Sequence, residues 1–220
     1  MDIFDDKFLG AELDFSVSTE RFGPFTFSAG IESSAVELLL HRVQDAQKRF
    51  KSSPLAQVAN DLEREVLVSS VVGTNTIEGG ELDFQQTELA FELDPEVVLE
   101  EQQRRVVNIK AAYDLAKEVA GQKDWQPNVD YIKRLHELIT QGIADSHNIP
   151  GQLRDNPKST VTRVGDANHG GVYKPPQSGR DIAKLLSALV DWNAKMAERG
   201  VPALIRAPLF HLYFELIHPF

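Results

Sequence analysis

Apolar residues return at intervals of three and four along most of this chain, and one long span breaks the rhythm. That spacing marks one buried face of an α-helix, whereas a half-buried strand alternates every second residue. Ser34 and Glu37 have the form of a capping box, and beyond them Val36, Leu39, Leu40, Val43 and Phe50 fall on one stripe. Ser53-Pro54 restarts a helix, proline suiting a first turn, with Leu55, Val58, Leu62 and Val66 expected inward. Pro95 is expected to open a long helix carrying Val98, Val106, Ile109, Ala112, Leu115 and Val119, which Gly121 would end. Asn128 to Ile143 repeats the pattern through Ile132, Leu135, Leu138 and Ile139. Asp181 to Arg199 does so through Ile182, Leu185, Leu189 and Trp192, with Gly200 as its stop, and a last helix runs from about Pro202 towards His218.

The exception is residues 144–178, rich in glycine and proline. They hold two β-prone fragments, Thr160 to Val164 and Gly171 to Tyr173, separated by DANHGG, which read as a small hairpin or flap. Residues 1–30 set Phe4, Phe8, Phe15, Phe22, Phe25 and Phe27 among turn formers such as Gly23-Pro24, and read as an irregular arm packing onto something. The expected fold class is all-α with a small β-hairpin flap.

Composition narrows the function. A net charge of −10, with 23 Lys and Arg scattered among 33 acidic residues, leaves no basic patch, so nucleic acid is not an expected partner. The chain has no cysteine, which excludes disulfides and thiolate metal sites and suits a reducing compartment, so the expected location is cytoplasmic. MDIFDDKFLG lacks the basic-then-apolar order of a secretory leader, and no apolar run approaches the ~18 residues of a membrane span, so no membrane partner is expected.

The chain ends FHLYFELIHPF. His211, Phe214 or Glu215, and His218 share a face of the last helix, and Pro219 must break it, because a residue before proline is pushed out of the α region. A histidine there is held by the helix behind it and left open on its far side, and Phe220 would turn back as an anchor. A histidine at a helix end also interacts favourably with the helix dipole.

HLYFELIHPF resembles the opening of the H-P-F-x-D/E-G-N-G-R signature of Fic-domain proteins. The resemblance spans roughly residues 35–220 and includes YIKRLHELI, PGQLR at 150–154 and TRVGDANHGGVYKPP. After the irregular N-terminal arm (1–30), it implies a helical region with an inhibitory motif (31–94) and a Fic core (95–220). It also implies that the signature continues past Phe220, where the phosphate-binding loop, the Mg²⁺ ligand and an arginine would lie. The 220 residues alone are then expected to be inactive, with no metal ligand among them.

The implied activity is transfer of AMP from ATP, with Mg²⁺, to a Ser, Thr or Tyr hydroxyl of a target protein. That chemistry needs a base near neutrality, which suits His218. The flap, through Val161, Thr162, Val164, Val172 and Tyr173, would pair with target backbone as an added strand. Thr74-x-x-x-Glu78-Gly79 matches the inhibitory motif of many Fic proteins, whose glutamate takes the place of the ATP γ-phosphate. Glu78 lies where a carboxylate faces the negative end of a helix dipole, so another partner should attract it. Family members often pair through N-terminal helices into a homodimer, although no stripe here demands it.

His211 reads as a buried hydrogen-bonding residue, Glu215 as the structural partner of a cation, and Arg154 as a matched family position or an ion pair. Three alternatives stand: a Fic-fold transferase with another donor (phosphate, UMP or phosphocholine), a non-catalytic helical regulatory protein, and a metallohydrolase using His211 and His218.

Overall fold

A computed structural model describes residues 14–28, 33–77, 79–122, 125–143, 148–165, 168 and 170–220. In chain order these form β1 (Phe15–Ser18), β2 (Pro24–Phe27), α1 (Ser33–Lys51), α2 (Leu55–Ile77), α3 (Phe84–Ala90), α4 (Glu101–Ala120), α5 (Val129–Thr140), α6 (Gly179–Glu198) and α7 (Ala203–Ile217). The all-α class holds, with one two-stranded sheet among the described residues. The chain divides into two compact units. The first takes the described residues of Met1–Asp45, Pro127–Val129 and Leu153–Phe220, and the second those of Ala46–Gln126 and Asp130–Gln152.

In the first unit, the stretch expected to be irregular contains an antiparallel hairpin, with Phe15 opposite Phe27 and Val17 opposite Phe25. The strands form because their alternate phenyl rings find an aromatic partner on the helices. Tyr213 of α7, fully buried, lies 4.7 Å from Phe15, 5.3 Å from Phe25 and 5.0 Å from Phe27, ring centre to ring centre. Phe15 also stacks on Trp192 of α6 at 5.9 Å. The loop closing the hairpin, residues 19–23, turns at Gly23, whose φ of 92° suits glycine. Glu20, Arg21 and Phe22 aim three successive backbone N–H groups at the carboxylate of Asp181 at 2.9, 3.0 and 3.0 Å. Burial pushes the Asp181 carboxyl up, but these bonds together with the charge of Arg21 outweigh it and hold its pKa below the ordinary value.

Beneath the hairpin, α6 buries Ile182, Leu185, Leu186, Leu189 and Trp192, so the expected stripe is the core stripe. Its end is a Schellman motif: Gly200, at φ 78°, donates to Ala197 O, and Val201 donates to Met196 O. Arg206 of α7 reaches back to Asn193 Oδ1 at 2.8 Å and to Val201 O at 2.9 Å.

The second unit is built on α2, α3 and α4, around Val68, Val71, Ala90, Phe91, Val106 and Ile109. Here two expectations fail. Leu55, Val58, Leu62 and Val66 are exposed, as are Leu39, Val43 and Phe50 of α1. The core instead uses the opposite side of α2, through Val68, Val71 and Asn75, because α3 supplies the surface they pack on. The short α3 itself was not expected. Its signal is a capping box in which Asp83 accepts from Gln86 N–H and Gln86 returns the bond.

The helix expected from Pro95 begins only at Glu101. The carbonyls of Pro95 and Val98 accept from the Arg104 guanidinium, so the preceding segment closes as a turn.

Gly80 lies against the side-chain amide of the fully buried Asn75, whose backbone carbonyl also accepts the Gly80 N–H. A methyl at Gly80 would be driven into that amide, which is fully buried and must shift to admit it. Gly80→Ala is therefore expected to lower stability by about 1–3 kcal/mol, the usual cost of overpacking, read as a shift in the denaturant midpoint.

Candidate active site

His218 stands where α7 stops. The helix buries Ile205, Leu209, Tyr213 and Ile217, successive positions four apart. Residues 211 and 215 fall on the far side, and both are exposed. This corrects the expectation of a buried His211, since the stripe that includes Tyr213 turns it outward. Glu215 makes no ion pair among the described residues, and its carboxylate acts on His218 instead.

At its end the helix still receives the His218 N–H, which donates to Phe214 O at 2.9 Å. The residue itself is left-handed, at φ 48° and ψ 66°. Among the described residues no other non-glycine residue has a positive φ. Such a backbone costs an L-residue roughly 1–2 kcal/mol, so something must hold it.

Arg154 does. Its Nε and Nη2 donate to the His218 carbonyl at 3.1 and 2.8 Å, and Nη2 also donates to Pro176 O at 2.7 Å. The backbone N–H of Arg154 donates to Pro219 O at 2.9 Å. Arg154 thus holds the end of α7 through the carbonyls of His218 and Pro219, the first by its guanidinium and the second by its backbone N–H. The sequence matched Arg154 to a family position, but its partner His218 is 64 residues away and leaves no local trace. Phe220 packs on Phe214 at 6.2 Å and is partly buried, in line with the expected anchor.

The His218 ring is half-buried, and neither of its nitrogens bonds a described residue. Burial and then the positive charge of Arg154 push its pKa below the ordinary histidine value, while Glu215 pulls the other way. The ring is therefore neutral at pH 7 and keeps a lone pair for an incoming proton.

The flap is closed by a single bridge in which Val164 and Tyr173 exchange bonds of 2.9 and 2.8 Å. Tyr173 donates its hydroxyl to Leu216 O at 3.0 Å, which ties the flap to the last turn of α7. Burial raises the Tyr173 pKa, so the hydroxyl keeps its proton. The Thr162 N–H donates to Gln177 Oε1 at 2.8 Å and its carbonyl accepts from Gln177 Nε2 at 3.2 Å, a side chain taking the place of a strand. Asn156 fixes the same point by donating to Thr162 Oγ1 and Gln177 Oε1, each at 2.7 Å. Asn156 and Gln177 were not picked out from the sequence, because a side chain mimicking a strand has no period. The backbone groups of Val161 and Arg163 bond no described residue, which leaves these two residues as an unpaired edge. Val161 and Val172 are exposed, and Thr162 is half-buried.

In the second unit, the PGQLR turn is fixed by His136 of α5, whose Nδ1 accepts the Gly151 N–H at 3.0 Å. Of the expected inhibitory motif, Thr74 is exposed near the end of α2, and Gly79 comes shortly after at φ 80°. Glu78 lies outside the described residues. Among the described residues no group of three His, Asp or Glu is placed to hold a metal ion, and no helix is long and apolar enough to cross a membrane.

Residues 126–220 match the model of the Fic/DOC family. Solved structures with a similar fold include a Fic family protein from Desulfovibrio desulfuricans G20, with TM-score 0.67 and 21% identity over 87% of this chain and 54% of that one. A Fic domain containing signaling protein from Bacteroides thetaiotaomicron VPI-5482 gives TM-score 0.66 and 20% identity over 82% and 65%. Part of Fic-1 from C. elegans gives 0.64 and 20% over 86% and 53%. The chain thus spans between 53% and 65% of the length of these neighbours. No curated protein matches it. The segment that carries PGQLR, the flap and His218 is accordingly the part that matches the Fic/DOC family model, and the chain has the fold of Fic-family proteins.

Proposed function

We propose that the full-length protein transfers AMP from ATP to a hydroxyl side chain of a target protein, with His218 as the base. The reading rests on the setting of His218, a neutral imidazole fixed through its own backbone at the end of α7. The hydroxyl oxygen forms a bond to the α-phosphorus as the bond to pyrophosphate breaks, and its proton passes to a His218 nitrogen. The outward edge of the flap, at Val161 and Arg163, suits an added target strand that would hold the hydroxyl in line. The described residues offer no ligand set for Mg²⁺, so no step is assigned to the ion.

The test is label from α-labelled ATP entering the protein itself or a lysate, with UTP and γ-labelled ATP in parallel. Label from UTP or from the γ-phosphate alone would overturn AMP as the transferred group.

Autoinhibition by Glu78 is part of the proposal. It is supported by the motif's position, since α2 ends at Ile77, one residue before Glu78, and Gly79 has a positive φ. Glu78→Gly is expected to raise AMP incorporation by roughly 5–150-fold, the range of an ordinary coupling free energy. Equal labelling by wild type and variant would remove the brake from the account.

A further inference from the structure

A cleft beside the flap has no role in the reaction described. It holds about 280 Å³ and is lined by Arg21 and Phe22 of the hairpin loop together with Asn156, Lys158, Val161 and Gln177. Pockets that bury drug-sized ligands run to roughly 300–1,000 Å³, so this one is the size of a side chain or two.

Its charge is unusual for so acidic a chain. Among the described residues its lining includes two cations, Arg21 and Lys158, and no carboxylate. Arg21 and Lys158 make no ion pair with a described residue, and both are exposed. Phe22 and Val161, partly exposed, supply an apolar wall. Lys158, and Arg21 whose charge also acts on Asp181, stand beside an apolar wall, a setting that suits a carboxylate on a short aliphatic stem. Val161 belongs both to this wall and to the outward flap edge, so a strand paired at that edge passes the cleft.

We propose that this cleft is a specificity subsite that receives an acidic side chain, Glu above all, from the target segment paired along the flap. The inference rests on the flap reading given above. Charge of this kind discriminates between partners more than it adds affinity, and it fades with salt.

The test is binding without nucleotide. Dye-labelled nine-residue β-prone peptides, each with Glu or Lys walked through successive positions, are titrated against the chain by fluorescence anisotropy. At one position the Glu peptide should bind about tenfold tighter than its Lys counterpart. That preference should shrink at high salt and vanish in Arg21→Gln/Lys158→Gln. If the double variant does not fold, Lys158→Gln alone, at an exposed loop position, should reduce it.

No position favouring Glu, no binding of any peptide, or a preference that survives the substitutions would each overturn the subsite. A preference in a protein that transfers no AMP would leave the subsite standing and sink the transfer reading. Transfer without any preference would do the reverse.

Discussion

Replacing His218 by Ala is expected to lower AMP incorporation by the full-length protein by about 10²–10⁴-fold, the contribution of a positioned general base. The better control is His218→Asn. Asparagine tolerates the left-handed backbone, so Arg154 keeps its carbonyl acceptor while the base is lost. The two variants should be equally inactive, and the Asn variant should melt close to wild type. The pH profile adds a second reading. Burial and Arg154 lower the His218 pKa, so the neutral, active form already dominates at pH 7. The rate should stay flat through neutrality and fall only as pH drops through a value below the ordinary ~6.5 of histidine. A rate that halves between pH 7 and 8 on acidification, or a labelled His218→Ala protein, would end the case for this base.

The second large effect concerns stability. Asp181→Ala leaves the N–H groups of Glu20, Arg21 and Phe22 without their acceptor. Asp181→Asn is also harmful, because its amide NH₂ must face at least one of those donors. At roughly 1–2 kcal/mol for each part-buried bond, Asp181→Ala is expected to lose about 3–6 kcal/mol and Asp181→Asn, which keeps one oxygen acceptor, about 2–4 kcal/mol, measured by chemical denaturation.

The shift also sets the sign of the pH dependence. The folded pKa of Asp181 is depressed, so its contribution is fully present above the unfolded aspartate pKa of ~3.9 and is lost as pH falls through the lower folded value. The gap between wild type and Asp181→Asn should be constant near neutrality and close in strong acid. A gap that widens in acid would show that the carboxylate is not what holds the loop.

What the sequence made legible was local. The stripe of α6, its stop at Gly200 and the break at Pro219 are decided within a few residues, and each matches the structure. The hairpin was not legible, since four-residue strands carry too little alternation and their partners, Trp192 and Tyr213, lie at the other end of the chain. On α2 two apolar stripes compete, and only the surface offered by α3 and α4 decides between them. For the candidate site, the position of His218 could be read from Pro219. The grip of Arg154 on its carbonyl, the Gln177 clamp on Thr162 and the exposure of His211 all depend on packing across loops.

The bond between Glu20 and Asp181 joins residues 161 positions apart. On a ribosome adding ~5–20 residues per second, the hairpin loop waits roughly 8–30 s for its acceptor to be made. For that interval Phe15, Phe25 and Phe27 have no Tyr213 to cover them, which makes this N-terminal stretch the natural client of a holding chaperone during synthesis.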